Sequence, residues 1–139
     1  MIDLGKTFIV LRGAAGSGKS TWANAFPTPK CVISTDSYFI RGYEYKFDPS
    51  LLGYYHKLSF DKAQWLIDRH MVMIILDNTN IKLEHYSHYV QYAQDHGYTV
   101  YQKVFDGEFE SIHNVPAEVV SRMRSTFQVD DTLPFWEDK

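Results

Sequence analysis

The residues GAAGSGKST at 13–21 have the types and the spacing of a phosphate-binding loop. Glycines allow the backbone to turn so that its N–H groups face phosphate oxygens, and a helix that follows adds its positive end. The pattern Gly-x-x-x-x-Gly-Lys-Ser predicts that the lysine reaches the β- and γ-phosphates of a nucleotide and that the serine binds Mg²⁺. The predicted nucleotide contacts are Gly13, Ala14, Ala15, Gly16, Ser17, Gly18, Lys19, Ser20 and Thr21, with Ser20 as the metal ligand.

Two further groups of polar residues follow apolar segments. Asp36 comes at the end of CVISTD, and Asp77, Asn78, Thr79 and Asn80 follow the aliphatic run MVMIIL at 71–76. In a parallel sheet, the carboxyl ends of the strands meet at the edge where the phosphate-binding loop lies. At this edge Asp36 would accept a proton from an attacking hydroxyl or hold magnesium through water, unless it only caps a turn. Residues 77–80 suit the rim of a site and are also common turn formers.

The chain alternates between strand and helix patterns. Strands are predicted at 7–13, 31–36, 71–78 and 98–105, and helices at 19–26, 49–70, 82–97 and 116–127. This order predicts an α/β fold of the P-loop NTPase type, in which a parallel sheet of about four strands carries helices on both faces.

Composition limits the class of protein. With 139 residues, of which 45% are hydrophobic and 22% charged, the chain suits one folded domain spanning 1–139. Its net charge of −3 gives no overall attraction to nucleic acid or anionic membranes, so any basic surface must be local. The apolar run at 71–76 is too short to cross a bilayer, and the only cysteine, Cys31, suits a reducing cytoplasm.

An aromatic segment lies between the second strand and the long helix. YFIRGYEYKF at 38–47 and YYHK at 54–57 interleave tyrosines with Arg41, Lys46 and Lys57. Such a mixture suits stacking on unpaired bases while cations contact the nucleic acid backbone. Aromatic residues also fill cores and helix contacts, so both interpretations stay open at this point.

Five motifs occur along the chain in this order: GAAGSGKST, STDSYF, YKFDPSLLGYYHK, IILDNTN and HNVPAEVVSRM. In these motifs the chain resembles the 5′-hydroxyl polynucleotide kinase family over nearly its whole length. The resemblance implies transfer of the γ-phosphate of ATP, with Mg²⁺, to a 5′-hydroxyl end of DNA or RNA. It implies that Lys19 acts on the phosphates and that Asp36 is the general base. The residues expected beside the acceptor are Tyr38, Arg41, Asn78, Thr79, Asn80 and Val115.

The chain departs from that family at two places. The lid near 106–116 is short, and Glu110 stands where family members place an arginine that contacts the phosphates in flight. Phe39 replaces the substrate-binding arginine that follows Tyr38, and Arg41 is close enough to substitute for it. The candidate replacements for the lid cation are Lys103, Arg122 and Arg124.

Three hypotheses about function follow. The first is a 5′-hydroxyl polynucleotide kinase, as the motifs imply. The second is a small-molecule P-loop kinase that phosphorylates a nucleoside, nucleotide or metabolite hydroxyl with the same Asp36 base; the short lid favours it. The third is a catalytically weak ATP-binding interaction module, which the absence of a lid arginine favours.

Overall fold

The computed structural model describes residues 5–14, 16–27, 29–41, 44–105 and 117–138, so the predicted lid at 106–116 lies outside the described residues. The strands are β1 (Thr7–Arg12), β2 (Cys31–Ile33), β3 (Ile40–Arg41), β4 (Glu44–Tyr45), β5 (Met73–Asp77) and β6 (Thr99–Val104). The α-helices are α1 (Lys19–Ala25), α2 (Leu52–Asp68), α3 (Ser87–Asp95) and α4 (Ala117–Ser125). Three 3₁₀ turns span Thr35–Phe39, Pro49–Leu51 and Leu83–His85.

The main sheet has four strands in the order β2-β5-β1-β6, and each pairing is parallel. The central strand β1 therefore has β5 on one side and β6 on the other. Since parallel strands all end at the same edge, the loops after β1, β2 and β5 meet there. The predicted α/β fold with a four-stranded parallel sheet is confirmed.

Helices cover both faces of this sheet, as the alternation of side chains along β1 requires. Phe8 and Val10 point into a core that α2 and α3 complete, whereas Ile9 and Leu11 point into a core beneath α1. All four side chains are fully buried, and each contributes about 1.5–3 kcal/mol by leaving water. In the part of the chain that the structure describes, every helix is too short or too polar to cross a membrane.

The second strand is shorter than the predicted range of 31–36. It ends at Ile33 because the 3₁₀ turn Thr35–Phe39 follows at once. The backbone N–H of Thr35 donates to the side-chain oxygen of Asn78 at 2.9 Å, and its hydroxyl shares a hydrogen bond with Ser59 at 2.9 Å. Asp36 is therefore carried by a turn that is tied to the loop after β5, and not by the strand itself.

A buried guanidinium closes the end of β1. Arg12 is fully buried, and its Nε donates to the carbonyl oxygen of Asn80 at 2.9 Å. Its terminal nitrogens donate to the side-chain oxygen of Gln102 at 3.2 Å and to the carbonyl oxygens of Ile81 and Gln128. One side chain thereby joins the loop after β5, strand β6 and the segment after α4.

Aromatic rings and an acidic residue surround this guanidinium. It lies 4.9 Å from the ring centre of Tyr86 and 4.4 Å from that of Phe127. The hydroxyl of Tyr86 donates to Asp130 at 2.6 Å. Burial lowers the pKa of Arg12, and the electrostatic effects of Tyr86 and Asp130 oppose that shift.

The segment after α4 packs against the edge of the sheet at Gln102. The backbone N–H of Gln102 donates to Pro134, and its carbonyl accepts from the N–H of Trp136 at 2.8 Å. Its side-chain amide donates to the carbonyl oxygens of Asp130 and Leu133. These bonds, which the sequence did not predict, fix the C-terminal segment beside β6.

Replacement of Arg12 by methionine is expected to lower the free energy of unfolding by about 2–5 kcal/mol. The variant keeps much of the side-chain volume but removes the donor that serves three carbonyl groups, two of them buried. Urea denaturation at neutral pH measures this loss. Arg69→Met is the matched control, because Arg69 lies exposed on the Trp65 ring and its loss should cost at most about 1 kcal/mol. Equal losses in the two variants would show that the network adds no stability.

The carboxylate of Asp130 should make stability depend on acid pH. Burial alone would raise its pKa, but hydrogen bonds from Thr132 and Tyr86 lower it below the ordinary value. Its contribution is therefore present above the pKa of the unfolded chain and is lost as the pH falls through the lower pKa of the folded state. Asp130→Asn should lose less stability between about pH 5 and pH 2 than the wild type does.

Urea titrations over that pH range test this expectation, with the exposed neighbour Asp131→Asn as the control. Asp131→Asn should keep the wild-type slope of unfolding free energy against pH. A wild-type slope in Asp130→Asn as well would contradict the expectation.

Candidate active site

The phosphate-binding loop leaves β1 at Gly13, where only a glycine fits. A Cβ at this position would lie 2.4 Å from the carbonyl oxygen of Phe105, and the φ angle is +154°. The N–H of Gly13 donates to the carbonyl oxygen of Thr79 at 2.9 Å. The loops after β1, β5 and β6 are thus in backbone contact at the base of the site.

Lys19 lies within this loop and is only 7% exposed. Its Nζ donates to the carbonyl oxygens of Gly13 and Ala14, each at 2.9 Å. Burial lowers the pKa of Lys19, while Asp77 and Asp36 act in the opposite direction. Asp77 ends β5 and Asp36 follows β2, so both carboxylates lie at the same edge of the sheet as Lys19.

A hydroxyl and a carboxylate meet where α1 begins. Ser20 Oγ donates to Asp77 Oδ2 at 2.7 Å. Asp77 ends β5, the strand next to β1, and is mostly buried. Hydroxyl and carboxylate oxygens are ligands that Mg²⁺ accepts, and phosphate-binding loops pair a serine with such an aspartate. The residues present therefore fit magnesium, with Asp77 added to the predicted ligand Ser20.

Sequence reasoning placed Asp77 on the rim without giving it this role. The available signal was its position as the first acidic residue after the aliphatic run at 71–76. Among the described residues, no three histidine, cysteine, aspartate or glutamate side chains gather to hold a metal by themselves.

Asp36 lies in the first turn of the 3₁₀ segment after β2. Tyr45 on β4 donates its hydroxyl to Asp36 Oδ1 at 3.2 Å. Burial raises the pKa of Tyr45, and Asp36 raises it further, so the phenol stays protonated and remains a donor at neutral pH. The contact with Tyr45 fixes the orientation of the carboxylate.

His56 on α2 is a neighbour of this carboxylate that the sequence did not single out. Its Nδ1 lies 3.4 Å from the hydroxyl oxygen of Thr35. Burial lowers the pKa of His56, and Asp36 opposes the shift. The imidazole is therefore mainly neutral near pH 7 and does not neutralise the carboxylate.

The predicted acceptor residues after β5 differ in where their side chains lie. Asn78 is half-buried, and its side chain accepts the hydrogen bond from Thr35, so it spans the gap towards Asp36. Thr79 is half-buried beside it. Asn80 is only 2% exposed, has a φ of 48°, and donates its amide to the carbonyl oxygen of Leu11 at 2.7 Å. The side chain of Asn80 therefore holds the loop after β5 against β1, and its predicted contact with the acceptor stays a prediction.

The remaining predicted residues lie in several places. Tyr38 is half-buried and stacks on Tyr55 with ring centres 5.3 Å apart, and burial raises its pKa. The backbone of Arg41 pairs with Glu44 in the β3–β4 hairpin, but its side chain lies outside the described residues, as do Ala15 and Val115. The rest of the predicted loop, Gly16, Ser17, Gly18 and Thr21, follows the path from β1 into α1.

One proposed replacement for the lid cation is engaged elsewhere. Lys103 Nζ lies 2.8 Å from Asp138 Oδ2 and 5.3 Å from the centre of the Trp22 ring. These contacts hold it against the face of the sheet that α1 covers. Arg122 is exposed on α4, and the side chain of Arg124 lies outside the described residues.

The sequence is similar to those of known proteins. Residues 8–129 match the model of the AAA domain family. The chain belongs to this family. It is 31% identical over 143 aligned positions to human NEDD4-binding protein 2, covering 94% of this chain and 8% of that protein. The chain thus corresponds to a small part of that relative.

Solved structures share the fold. The structure of the Pnkp1/Rnl/Hen1 complex is 21% identical with a TM-score of 0.60, covering 97% of this chain and 47% of that chain. A gluconokinase from Sinorhizobium meliloti 1021 is 14% identical with a TM-score of 0.58, covering 93% of this chain and 80% of that one. The P-loop kinase fold is therefore confirmed, and with it the resemblance that the motifs indicate.

Replacement of Lys19 by methionine is expected to weaken ATP binding by ~10-fold or more, because the ammonium group is the cation placed within the phosphate-binding loop. Methionine keeps the buried aliphatic stem, which matters because Lys19 is not an exposed side chain. Isothermal titration with ATP and magnesium measures the affinity. Lys62→Met on the exposed side of α2 is the control and should bind ATP as the wild type does. Wild-type affinity in Lys19→Met would place the nucleotide elsewhere.

Proposed function

We propose that this domain transfers the γ-phosphate of ATP to a 5′-hydroxyl end of DNA or RNA. The observation that carries the proposal is that Lys19, the Ser20–Asp77 pair and the turn with Asp36 lie at one edge of the sheet. These groups supply a cation for the phosphates, oxygen ligands for magnesium and a base for the acceptor. A phosphoryl transfer to an alcohol needs all three.

The nucleotide half consists of the loop, Lys19, Ser20 and Asp77. The ammonium group of Lys19 exchanges its hydrogen bonds to the loop carbonyls for stronger ones to the β- and γ-phosphates of ATP. Ser20 and Asp77 would hold magnesium, which supplies charge neutralisation to the phosphates when it is bound. Before the metal binds, the hydrogen bond from Ser20 to Asp77 keeps the hydroxyl and carboxylate oxygens next to each other.

The acceptor half consists of Asp36 and the residues that orient it. As the acceptor oxygen forms its bond to the γ-phosphorus, the bond from that phosphorus to the ADP oxygen breaks. The proton of the acceptor hydroxyl then passes to the carboxylate of Asp36. Tyr45 holds one carboxylate oxygen in place, and Asn78 fixes the turn on which Asp36 lies.

A nucleic acid acceptor is favoured by the motifs and by the relatives. Three motifs in order, STDSYF, IILDNTN and HNVP, resemble those of the polynucleotide kinase family. The alignment with the structure from the Pnkp1/Rnl/Hen1 complex covers 97% of this chain. Because RNA and DNA ends present the same 5′-hydroxyl, both are candidate acceptors. We also propose a cytoplasmic setting, which suits the single cysteine.

A small-molecule acceptor is the second candidate. The similarity to the gluconokinase covers most of both chains, and that enzyme is named for a small substrate. A weak ATP-binding module is the third candidate, which the sequence of the lid favours through Glu110.

One experiment separates these candidates. The protein is incubated with γ-labelled ATP and magnesium in the presence of 5′-hydroxyl DNA, 5′-hydroxyl RNA, nucleosides, nucleotides or gluconate. The proposal predicts label on the oligonucleotide ends. Label on a monomer alone would establish the small-molecule candidate, and ATP binding without any labelled product would establish the third.

Asp36→Asn is expected to reduce phosphoryl transfer by ~10²-fold or more while ATP binding stays as in the wild type. The amide keeps the size of the side chain and can still accept from Tyr45, but it cannot take up the acceptor proton. Single-turnover transfer and ATP titration measure the two properties separately. Asp61→Asn on the exposed side of α2 should leave both unchanged. Full transfer activity in Asp36→Asn would reduce this carboxylate to a turn residue.

A further inference from the structure

Exposed apolar side chains gather beside the 3₁₀ turn that carries Asp36. Phe47 is 52% exposed, Tyr54 is 55% exposed, and Ile40, the first residue of the β3–β4 hairpin, is 47% exposed. Single exposed apolar residues are ordinary on protein surfaces, but a group of them next to a catalytic group is not. We call Phe47 and Tyr54 with Ile40 the aromatic surface.

Buried rings support this surface from below. Phe39 is 1% exposed, and its ring centre lies 5.0 Å from that of Phe47 and 4.8 Å from that of Tyr55. Tyr55 in turn lies 5.7 Å from Tyr54. The two exposed rings thus rest on a packed aromatic layer, which limits their motion and lowers the entropy that a ligand would lose on stacking against them.

The same layer leads directly to the catalytic carboxylate. The ring of Phe39 lies 6.1 Å from that of Tyr45, and Tyr45 donates its hydroxyl to Asp36. Phe47 is therefore connected to the carboxylate of Asp36 through two rings, those of Phe39 and Tyr45. This places Phe47 within reach of the nucleotides that follow a terminal hydroxyl bound at Asp36.

Two lysines are close in sequence to the exposed rings. Lys46 precedes Phe47, and its ion pair with Glu44 is exposed and therefore weak. Lys57 follows Tyr54 by three positions on α2 and shares its side of the helix. Rings for bases and nearby ammonium groups for phosphates are the features that bind single-stranded nucleic acid without sequence preference. A small metabolite binds in a concave pocket that encloses most of it, and an open surface does not provide such an enclosure.

We infer that Phe47 and Tyr54 stack on unpaired bases of a single-stranded nucleic acid whose 5′-hydroxyl lies at Asp36. The inference rests on the proposed function and extends it, because it names a single-stranded end as the acceptor and gives the residues that hold it. Bases beyond the terminal nucleotide contribute to affinity by stacking, so a longer single strand binds more tightly than a mononucleotide.

Binding is measured without ATP, by fluorescence anisotropy of a 3′-labelled, single-stranded 5′-hydroxyl oligonucleotide of about ten nucleotides. Phe47→Ala and Tyr54→Ala should each raise the Kd at least ~5-fold, because each variant removes one stacking ring. Tyr54→Phe keeps the ring and should bind as the wild type does. DNA and RNA versions of the oligonucleotide distinguish which strand is preferred.

Trp65→Ala is the matched control. Trp65 is 51% exposed and lies about three turns further along the same side of α2, roughly 16 Å from Tyr54. Its removal should leave the affinity unchanged. Circular dichroism of each variant confirms the fold, and all three substituted rings are exposed, so their removal leaves the core intact.

The outcomes separate this inference from the proposed function. Oligonucleotide binding that depends on Phe47 and Tyr54, without phosphorylation of the end, would retain the surface and overturn the kinase proposal. Phosphorylation of oligonucleotide ends with unchanged Kd and KM in both alanine variants would retain the kinase and overturn the surface. Absence of wild-type binding, or an equal loss in Trp65→Ala, would also overturn the surface.

Discussion

The buried guanidinium of Arg12 determines how the loops around the site are placed. It lies at the last position of β1, and three of its hydrogen bonds reach carbonyl groups in the loop after β5 and in the segment after α4. A charge in this position is stable only because its donors have partners and its faces are covered by Tyr86 and Phe127. The next residue, Gly13, therefore begins the phosphate-binding loop from a fixed point.

The proposed site has a nucleotide half and an acceptor half, which depend on different interactions. The nucleotide half lies at the ends of the adjacent strands β1 and β5, where Ser20 at the start of α1 lies 2.7 Å from Asp77. The acceptor half lies on a turn and a short hairpin outside the main sheet. The hydrogen bond from Thr35 to Asn78 connects them, so the loop after β5 takes part in both halves.

The sequence predicted the features that local spacing encodes. The loop, Lys19 and Ser20 follow from one short pattern, and the four strands follow from apolar runs separated by turn residues. The alternation of strands and helices then indicated the parallel sheet and the common edge. These features need no knowledge of which distant residues meet.

Other features depend on contacts between distant parts of the chain. Asn78 and Asn80 are the same residue type two positions apart, yet the backbone turns only Asn80 inward, to the carbonyl oxygen of Leu11. Arg12 looks like an ordinary strand residue, because its partners lie far along the chain. The role of Asp77 becomes visible only when β5 is known to lie beside β1.

The strand order also has a consequence for how the chain folds. β1 precedes the other strands of its sheet along the chain, but its neighbours in the sheet are β5 and β6, which begin at Met73 and Thr99. No hairpin can pair it early, and each of its ladders closes a long loop of chain at a cost in entropy. The segment Phe8–Leu11, fully buried in the native protein, therefore stays without its sheet partners until much of the chain has been made. The proposed nucleotide site is consequently completed late in folding, and a bound nucleotide would stabilise a state that forms only after the long-range pairings are complete.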